Sequence, residues 1–248
     1  MTSAEPRDLQ RARPSSRSPR LRVALVGADG CGKSTITQLL ETAVLPAPVK
    51  RIYMGVNLEA SSLMLPTTRL LVAAKRARGG RPDLVGTSPP GVDDRATAGS
   101  RDWRRSARGT ARMMVWILEE WLRQAVAWRY SRAGYLVVFD RHFLLDYYHS
   151  DIEPRSAQRG TVSAFHGWML QHIYPKPDLV VCLDAPASVL FARKPESSPA
   201  WLENRRQQYL RLAGVVPALV VVDADRPLEV VLTDVVDTIR RHWKAQAA

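Results

Sequence analysis

Five short apolar runs punctuate the chain: Leu21–Val26, Val49–Met54, Tyr135–Phe139, Leu179–Leu183 and Ala218–Val222. Each is continuous and rich in Val, Leu or Ile. A strand solvated on one face alternates apolar with polar residues, so unbroken runs predict strands covered on both faces, as in a parallel sheet. Between them the apolar period lengthens to that of a helix, over Lys33–Ala43, Asp184–Arg193 and Pro227–Lys244. The longest such segment, Trp103–Arg132, sets Met114, Ile117, Trp121, Ala125 and Trp128 at three- and four-residue steps, which predicts one core-facing stripe. Pro227 stands in a first helical turn, where its missing N–H has no partner to lose. Strands alternating with helices predict a three-layer α/β/α fold around a five-stranded parallel sheet.

Two segments lack any such period. Residues 1–20 hold five Arg among Pro and Ser, and read as a disordered leader ahead of a single domain over 21–248. Residues 78–100, rich in Gly, Pro, Ser and Asp, read as a long loop inserted into that domain. The 248 residues are 46% hydrophobic and 24% charged, enough to bury a core. No apolar run approaches the roughly 18–20 residues that cross a bilayer, and no apolar segment follows the basic N-terminus as in a secretory signal. Cys31 and Cys182 are the only cysteines. They exclude a disulfide scaffold and a thiolate zinc site, and fit a reducing compartment. The expectation is a cytoplasmic protein without membrane association.

The net charge of +12 is unevenly placed: +3 falls in residues 1–20 and +7 between Arg69 and Arg112. A nucleic-acid-binding module carries its charge on the folded unit. An excess confined to a tail and one middle segment argues against nucleic acid as the partner and for a solvated tail with an anion-handling insertion.

Directly after the first apolar run stands Gly27-Ala28-Asp29-Gly30-Cys31-Gly32-Lys33-Ser34-Thr35. It fills every fixed position of G-x-x-x-x-G-K-[ST], between a buried strand and a helix. Glycines let successive backbone N–H groups turn inward around a phosphate, and the following helix adds its positive end. Lys33 is placed to reach the outer phosphate oxygens, and the Ser34 hydroxyl to ligate Mg²⁺. ATP and Mg²⁺ are therefore the expected cofactors, cradled by Gly27, Asp29, Gly30, Cys31, Gly32, Lys33, Ser34 and Thr35. Cys31 reads as a small residue at a variable position of this loop.

The loop variant G-x-D-G-x-G-K-S-T resembles that of the thymidylate kinases, the nucleoside-monophosphate kinases that make dTDP. Three more segments agree in order. Val137-Val138-Phe139-Asp140-Arg141-His142 is similar to the family's strand ending in Asp-Arg-Tyr. Pro177-Asp178-Leu179 through Leu183-Asp184-Ala185-Pro186 is similar to its P-D-L-x-x-x-L-D-x-P strand. Arg205–Ala213 and Val221–Glu229 resemble its C-terminal R-x-x-Y-L-x-L-A and I-D-A-x-x-P-x-E. The resemblance spans about residues 21–45 and 115–243. It implies a P-loop kinase fold, a nucleoside monophosphate as acceptor, conversion of dTMP to dTDP, and a homodimer as the assembly to expect. It further implies that Asp29 touches the acceptor's sugar hydroxyl or the reacting phosphate, and that Asp140 holds Mg²⁺ with Ser34. Arg141 would bind the acceptor phosphate. Arg193 would serve as a lid arginine that steadies the transferring phosphoryl group. Lys33, Asp29, Arg141 and Arg193 form the implied catalytic set.

Plainer readings stand beside these. Asp140 and Arg141 could be a local ion pair, Arg193 and Lys194 a helix C-cap, and Asp184 the cap of the next helix. The chain also departs from the family. Gly55-Val56-Asn57-Leu58-Glu59-Ala60 replaces the R-x-P-G-G-T turn, Glu119 stands where a base-reading arginine is expected, and His142 replaces Tyr. The lid shortens to Arg193–Ala200. His142, His149, His166 and His172 lack ligand spacing and read as packing or acceptor contacts. Tyr147 and Tyr148 read as core or as a stacking platform. The reading is phosphoryl transfer from Mg·ATP to a small acceptor, a nucleoside monophosphate first. Competing with it are a kinase acting on a nucleoside or other metabolite hydroxyl, and a non-kinase P-loop nucleotide-binding protein or nucleic-acid-associated ATPase.

Overall fold

All five apolar runs become strands: β1 (Arg22–Val26), β2 (Val49–Tyr53), β3 (Leu136–Asp140), β4 (Leu179–Asp184) and β5 (Leu219–Asp223). They form one parallel sheet in the order β2-β3-β1-β4-β5 in the computed structural model, which describes residues 19–55, 63–77, 102–152 and 161–247. The central strand β1 pairs Leu25 with Asp140 on one side and Val26 with Cys182 on the other. The chain winds to one side of β1 for β2 and β3, and to the other for β4 and β5. The loop after β1 thus opens where the winding changes side, the place where open parallel sheets bind ligands.

Helices α1 (Lys33–Leu39), α2 (Pro66–Ala77), α3 (Asp102–Arg132), α4 (Phe143–Tyr147), α5 (Thr161–His172), α6 (Ala187–Arg193), α7 (Pro199–Leu210) and α8 (Leu228–Ala247) complete the described elements. Alternate strand residues point to opposite faces, so each face gathers its own core. Val23, Leu25, Val181 and Leu183 meet Ile36 and Leu40 beside α1, and Val231, Val235, Ile239 and Trp243 of α8. Ala24, Val26, Val137, Phe139 and Val180 meet Trp116 and Ala127 of α3, Phe143 and Leu144 of α4, and Leu170 of α5. The result is the three-layer α/β/α P-loop NTPase fold. Among the described residues no helix is long and apolar enough to cross a membrane.

Several expectations need correction. The first helix stops at Leu39 rather than Ala43, and residues 40–42 form a turn. The helix expected from Asp184 starts at Ala187, because Asp184 closes β4 and Pro186 takes the N-cap without a side-chain bond. The apolar stripe on α3 is its buried face only in part: Ile117 is buried and Trp121 packs half-buried against the core. Met114 and Trp128 are about half exposed and Ala125 is exposed, whereas Trp116, Glu119, Glu120, Arg123, Gln124 and Ala127 are buried. On that polar side Glu119 and Arg123 bond backbone groups of neighbouring segments, and Glu120 meets His166. The loop expected over 78–100 lies outside the described residues, as does the leader apart from Pro19 and Arg20.

Candidate active site

The loop Gly27–Thr35 leaves β1 with a backbone only glycine tolerates. Gly27 has φ +142°, and a β-carbon there would collide with the Leu183 carbonyl. Gly32 has φ +88° immediately before α1, with open space around it, so conformation alone demands glycine. Lys33 is 5% exposed. Its Nζ donates to the carbonyls of Gly27 and Ala28, each at 2.8 Å, and lies 3.5 Å from Cys31 Sγ. The ammonium is thereby drawn into the concavity of its own loop. Ser34 and Thr35 stand exposed on the first turn of α1.

Across from the loop, β3 ends at Asp140, 2% exposed, whose Oδ1 has no hydrogen-bond partner. Arg141 follows with φ +69°, the single non-glycine positive φ among the described residues. Its N–H still bonds the Leu25 carbonyl at 3.1 Å. A left-handed arginine is costly by roughly 1–2 kcal/mol, and such outliers collect at functional sites. Gly55 at the tip of β2 makes room for it: a β-carbon there would stand 2.5 Å from Arg141 Cδ. Arg141 Nη2 reaches Asp29 Oδ1 at 2.5 Å. The partner of Arg141 is thus the loop carboxylate, not the adjacent Asp140. Burial pushes the Asp29 carboxyl up, but the charges of Arg141 and Lys33 outweigh it and hold its pKa below the ordinary aspartate value. Burial likewise opposes the Arg141 charge, and Asp146, Tyr209 and Asp29 more than offset it, raising its pKa.

Arg193 lies apart from this group. In the last turn of α6, its Nη1 donates to the Ala224 carbonyl at 2.9 Å, and Nη2 sits 3.6 Å from Asp225 Oδ1. With Gly30, Thr35, Ile36 and Arg226 it lines an open cleft of about 250 Å³ on the outer side of the loop. Two neighbouring arginines on α7 reach further in. Arg206 grips Asp184 with a two-pronged contact at 2.6 and 2.9 Å. Arg205 Nη2 lies 3.3 Å from Asp146 Oδ1, which also accepts from the Tyr209 hydroxyl at 2.8 Å. Reading the sequence gave no role to Arg205, Asp146 or Arg206, although Arg205 and Arg206 open the segment Arg205–Ala213 that carries the resemblance.

The inner side of α3 forms the far wall. Glu119 Oε1 accepts from the Leu65 N–H at 2.8 Å, while Oε2 has no partner. One turn on, fully buried Arg123 donates Nη1 to the Gly55 carbonyl at 3.0 Å, its guanidinium 5.4 Å from the Phe143 ring centroid. Its Nε and Nη2 and both amide atoms of Gln124 are unpartnered. Burial lowers the Arg123 pKa, an effect the Glu119 charge opposes. The helix therefore does carry a buried arginine, one turn after the position where the sequence has Glu119.

The histidines do not converge. His166 contacts Glu120 at 3.1 Å, both fully buried. His149 meets the Gln208 carbonyl, and His172 that of Trp168. His142 packs edge-on to Phe139 and Tyr174, and burial, aided by the Arg22 charge, pushes its pKa down to about 3. Tyr147 lies edge-on to His166. Burial pushes the Cys182 thiol up to about 12, which leaves it unreactive at neutral pH. For Mg²⁺ the relevant groups are the exposed Ser34 hydroxyl and Asp140. An unpartnered buried carboxylate oxygen at the strand end beside β1 fits a hard cation that keeps most of its waters.

No family model matches the chain, and no curated protein matches it. Among solved structures it is similar to deoxyadenosine kinase from M. mycoides with the products dCMP and a flexible dCDP bound. That likeness has 12% identity over 89% of this chain and 100% of the other, with TM-score 0.48. The same kinase with bound dCTP gives 12% identity, the same coverage and TM-score 0.45. Likenesses this remote assign no role to any residue here.

Proposed function

We propose that the chain is a Mg·ATP-dependent phosphotransferase, a P-loop kinase acting on a small phosphorylated acceptor, with a nucleoside monophosphate such as thymidylate as the first candidate. The observation that carries this is the meeting of three groups: Lys33 inside its glycine loop, Asp29 on that loop, and Arg141 reaching it from the end of β3. Lys33 would exchange the carbonyls of Gly27 and Ala28 for donor phosphate oxygens. Ser34 and Asp140 would hold Mg²⁺, which neutralises charge on the donor phosphates when bound. Arg141 would fix the acceptor, so that the protein's work is positioning and charge stabilisation. Arg193 and Arg226 would flank the base of the donor nucleotide, outside the loop, instead of acting as a lid on the reacting phosphoryl group.

A hydroxyl acceptor needs a general base, and Asp29 suits that poorly, since Arg141 and Lys33 hold its pKa low. A phosphate acceptor needs none. The unpartnered donors and acceptors of Arg123, Gln124 and Glu119 support a polar wall for the body of the acceptor. A homodimer is supported by the apolar side chains that α3 and the α5 region leave about half exposed: Met114, Leu118, Phe165, Trp168 and Ile173. A cytoplasmic setting, where ATP is plentiful, suits this chemistry.

The test is ATP consumption with a panel of nucleosides, 5′-monophosphates and unrelated hydroxyl metabolites. Turnover is expected with at least one monophosphate, and Lys33→Ala should lower it by about 10²- to 10³-fold with the fold retained. A chain that neither binds Mg·ATP nor turns it over with any acceptor would end the kinase reading.

A further inference from the structure

We propose that Arg205 is a second ligand for the acceptor's phosphate, held beside Arg141 by Asp146 and Tyr209; this rests on the phosphotransferase reading above. Arg141 leads straight into α4, whose first turn is closed by the Asp146 N–H bonding the His142 carbonyl at 2.9 Å. Asp146 is therefore a near neighbour of Arg141 on a short, fixed element. From the other side α7 brings Arg205 and Tyr209, four residues apart and so on one helical face. The Arg205 guanidinium is set on three sides. Nη1 donates to Gln208 Oε1 at 3.0 Å, Nη2 donates to the Tyr209 hydroxyl at 3.0 Å, and the ring of Tyr209 lies 4.6 Å below it. Burial raises the Tyr209 pKa, so the hydroxyl stays protonated and donates to Asp146.

Asp146 is the foremost group stabilising the Arg141 cation, and Arg141 in turn works against the charge on Arg205. Arg141 pairs with Asp29 and Arg205 with Asp146, whose Oδ2 has no hydrogen-bond partner. Arg141 gives its Nη2 to Asp29. Both arginine side chains remain partly open, at 25% and 20% exposure. A simple tie between α4 and α7 needs no second cation beside it. A dianion does, because two planar forks can each give it paired hydrogen bonds.

The experiment uses the full chain saturated with Mg·ADP, so that the donor site is filled, and titrates inorganic phosphate by calorimetry. One phosphate per chain is expected. Arg205→Gln should weaken it by about 10- to 100-fold, Arg205→Lys less, and Tyr209→Phe and Asp146→Asn by about 3- to 10-fold, since they only loosen the guanidinium. Mg·ATP affinity should stay within about twofold throughout, and the preference for 5′-monophosphates over their parent nucleosides should fall in step. Unchanged phosphate affinity in Arg205→Gln, or no phosphate bound to the wild-type Mg·ADP complex, overturns the proposal. If Arg205→Gln fails to fold, Tyr209→Phe decides: a lowered melting temperature with unaltered phosphate affinity makes the cluster a structural tie only. A wild-type chain that does not bind Mg·ATP would instead overturn the kinase reading beneath it.

Discussion

Against the sheet face that carries Val23, Leu25, Val181 and Leu183, α1 and α8 lay down an aliphatic core. Of its buried polar groups among the described residues, Lys33, Thr37 and Thr238 have partners, namely the loop carbonyls, the Ser34 carbonyl and Arg241, and Asp140 at the end of β3 leaves one oxygen unpartnered. Against the other face, α3, α4 and α5 bury Glu119, Glu120, Arg123, Gln124, His142 and His166 among aromatic rings. There the Gln124 amide, the His142 nitrogens, Glu119 Oε2 and two Arg123 nitrogens lack partners. Each such atom costs about 1–3 kcal/mol. The first face is built for stability. The second gives up stability at these unpartnered atoms.

That contrast can be broken or sharpened by substitution on each side. Ile239→Ala, in the aliphatic core, should lower unfolding free energy by about 2–5 kcal/mol, read from urea unfolding, with the kinetics of the folded fraction unchanged. Arg123→Met should do the reverse. Exchanging an incompletely paired buried cation for an apolar chain should move stability by about 1 kcal/mol or less. Acceptor kcat/KM should fall about 10- to 100-fold, or roughly 1.4–2.7 kcal/mol. A large loss of stability with normal kinetics would make Arg123 a strut and erase the difference between the faces.

The third test is pH. His142 in the folded chain resists protonation down to about 3, whereas an unfolded histidine takes its proton near 6.5. Between those values the unfolded state binds more protons, so stability falls as pH falls, by up to about 1.4 kcal/mol per pH unit. His142→Phe should flatten this slope between pH 6.5 and 4 in thermal unfolding. An unaltered slope would mean that other groups carry the acid sensitivity. The smallest effect is expected from Gln124→Leu, which removes two unpartnered amide atoms and should leave stability unchanged or raise it by about 1 kcal/mol. A clear drop in melting temperature would show the amide to be bonded in the folded protein.

Unbroken Val, Leu and Ile runs made the five strands readable, because a parallel strand covered on both faces needs apolar residues throughout. The loop Gly27–Thr35 was readable for a different reason. Its glycines, Lys33 and Ser34 act within nine consecutive residues, so their spacing in the chain is their spacing in space. The same local logic held only in part on α3, where the apolar period found Ile117 and Trp121 but also pointed to Met114 and Trp128, while the core took Trp116, Arg123 and Ala127.

Periodicity and short motifs therefore fixed the fold class, the strand set and the loop that joins β1 to α1. The partners of the charged residues came only with folding. Arg141 finds Asp29 across 112 positions, Arg205 finds Asp146 across 59, and Arg206 finds Asp184 across 22. An ion pair of that kind leaves no repeat in the chain, because sheet order and the swing of Arg141 into left-handed φ set which cation faces which carboxylate. Helix orientation is of the same kind: α3 turns its polar side inward, where Glu119 and Arg123 bond the backbone of Leu65 and Gly55, a choice its own sequence pattern does not contain.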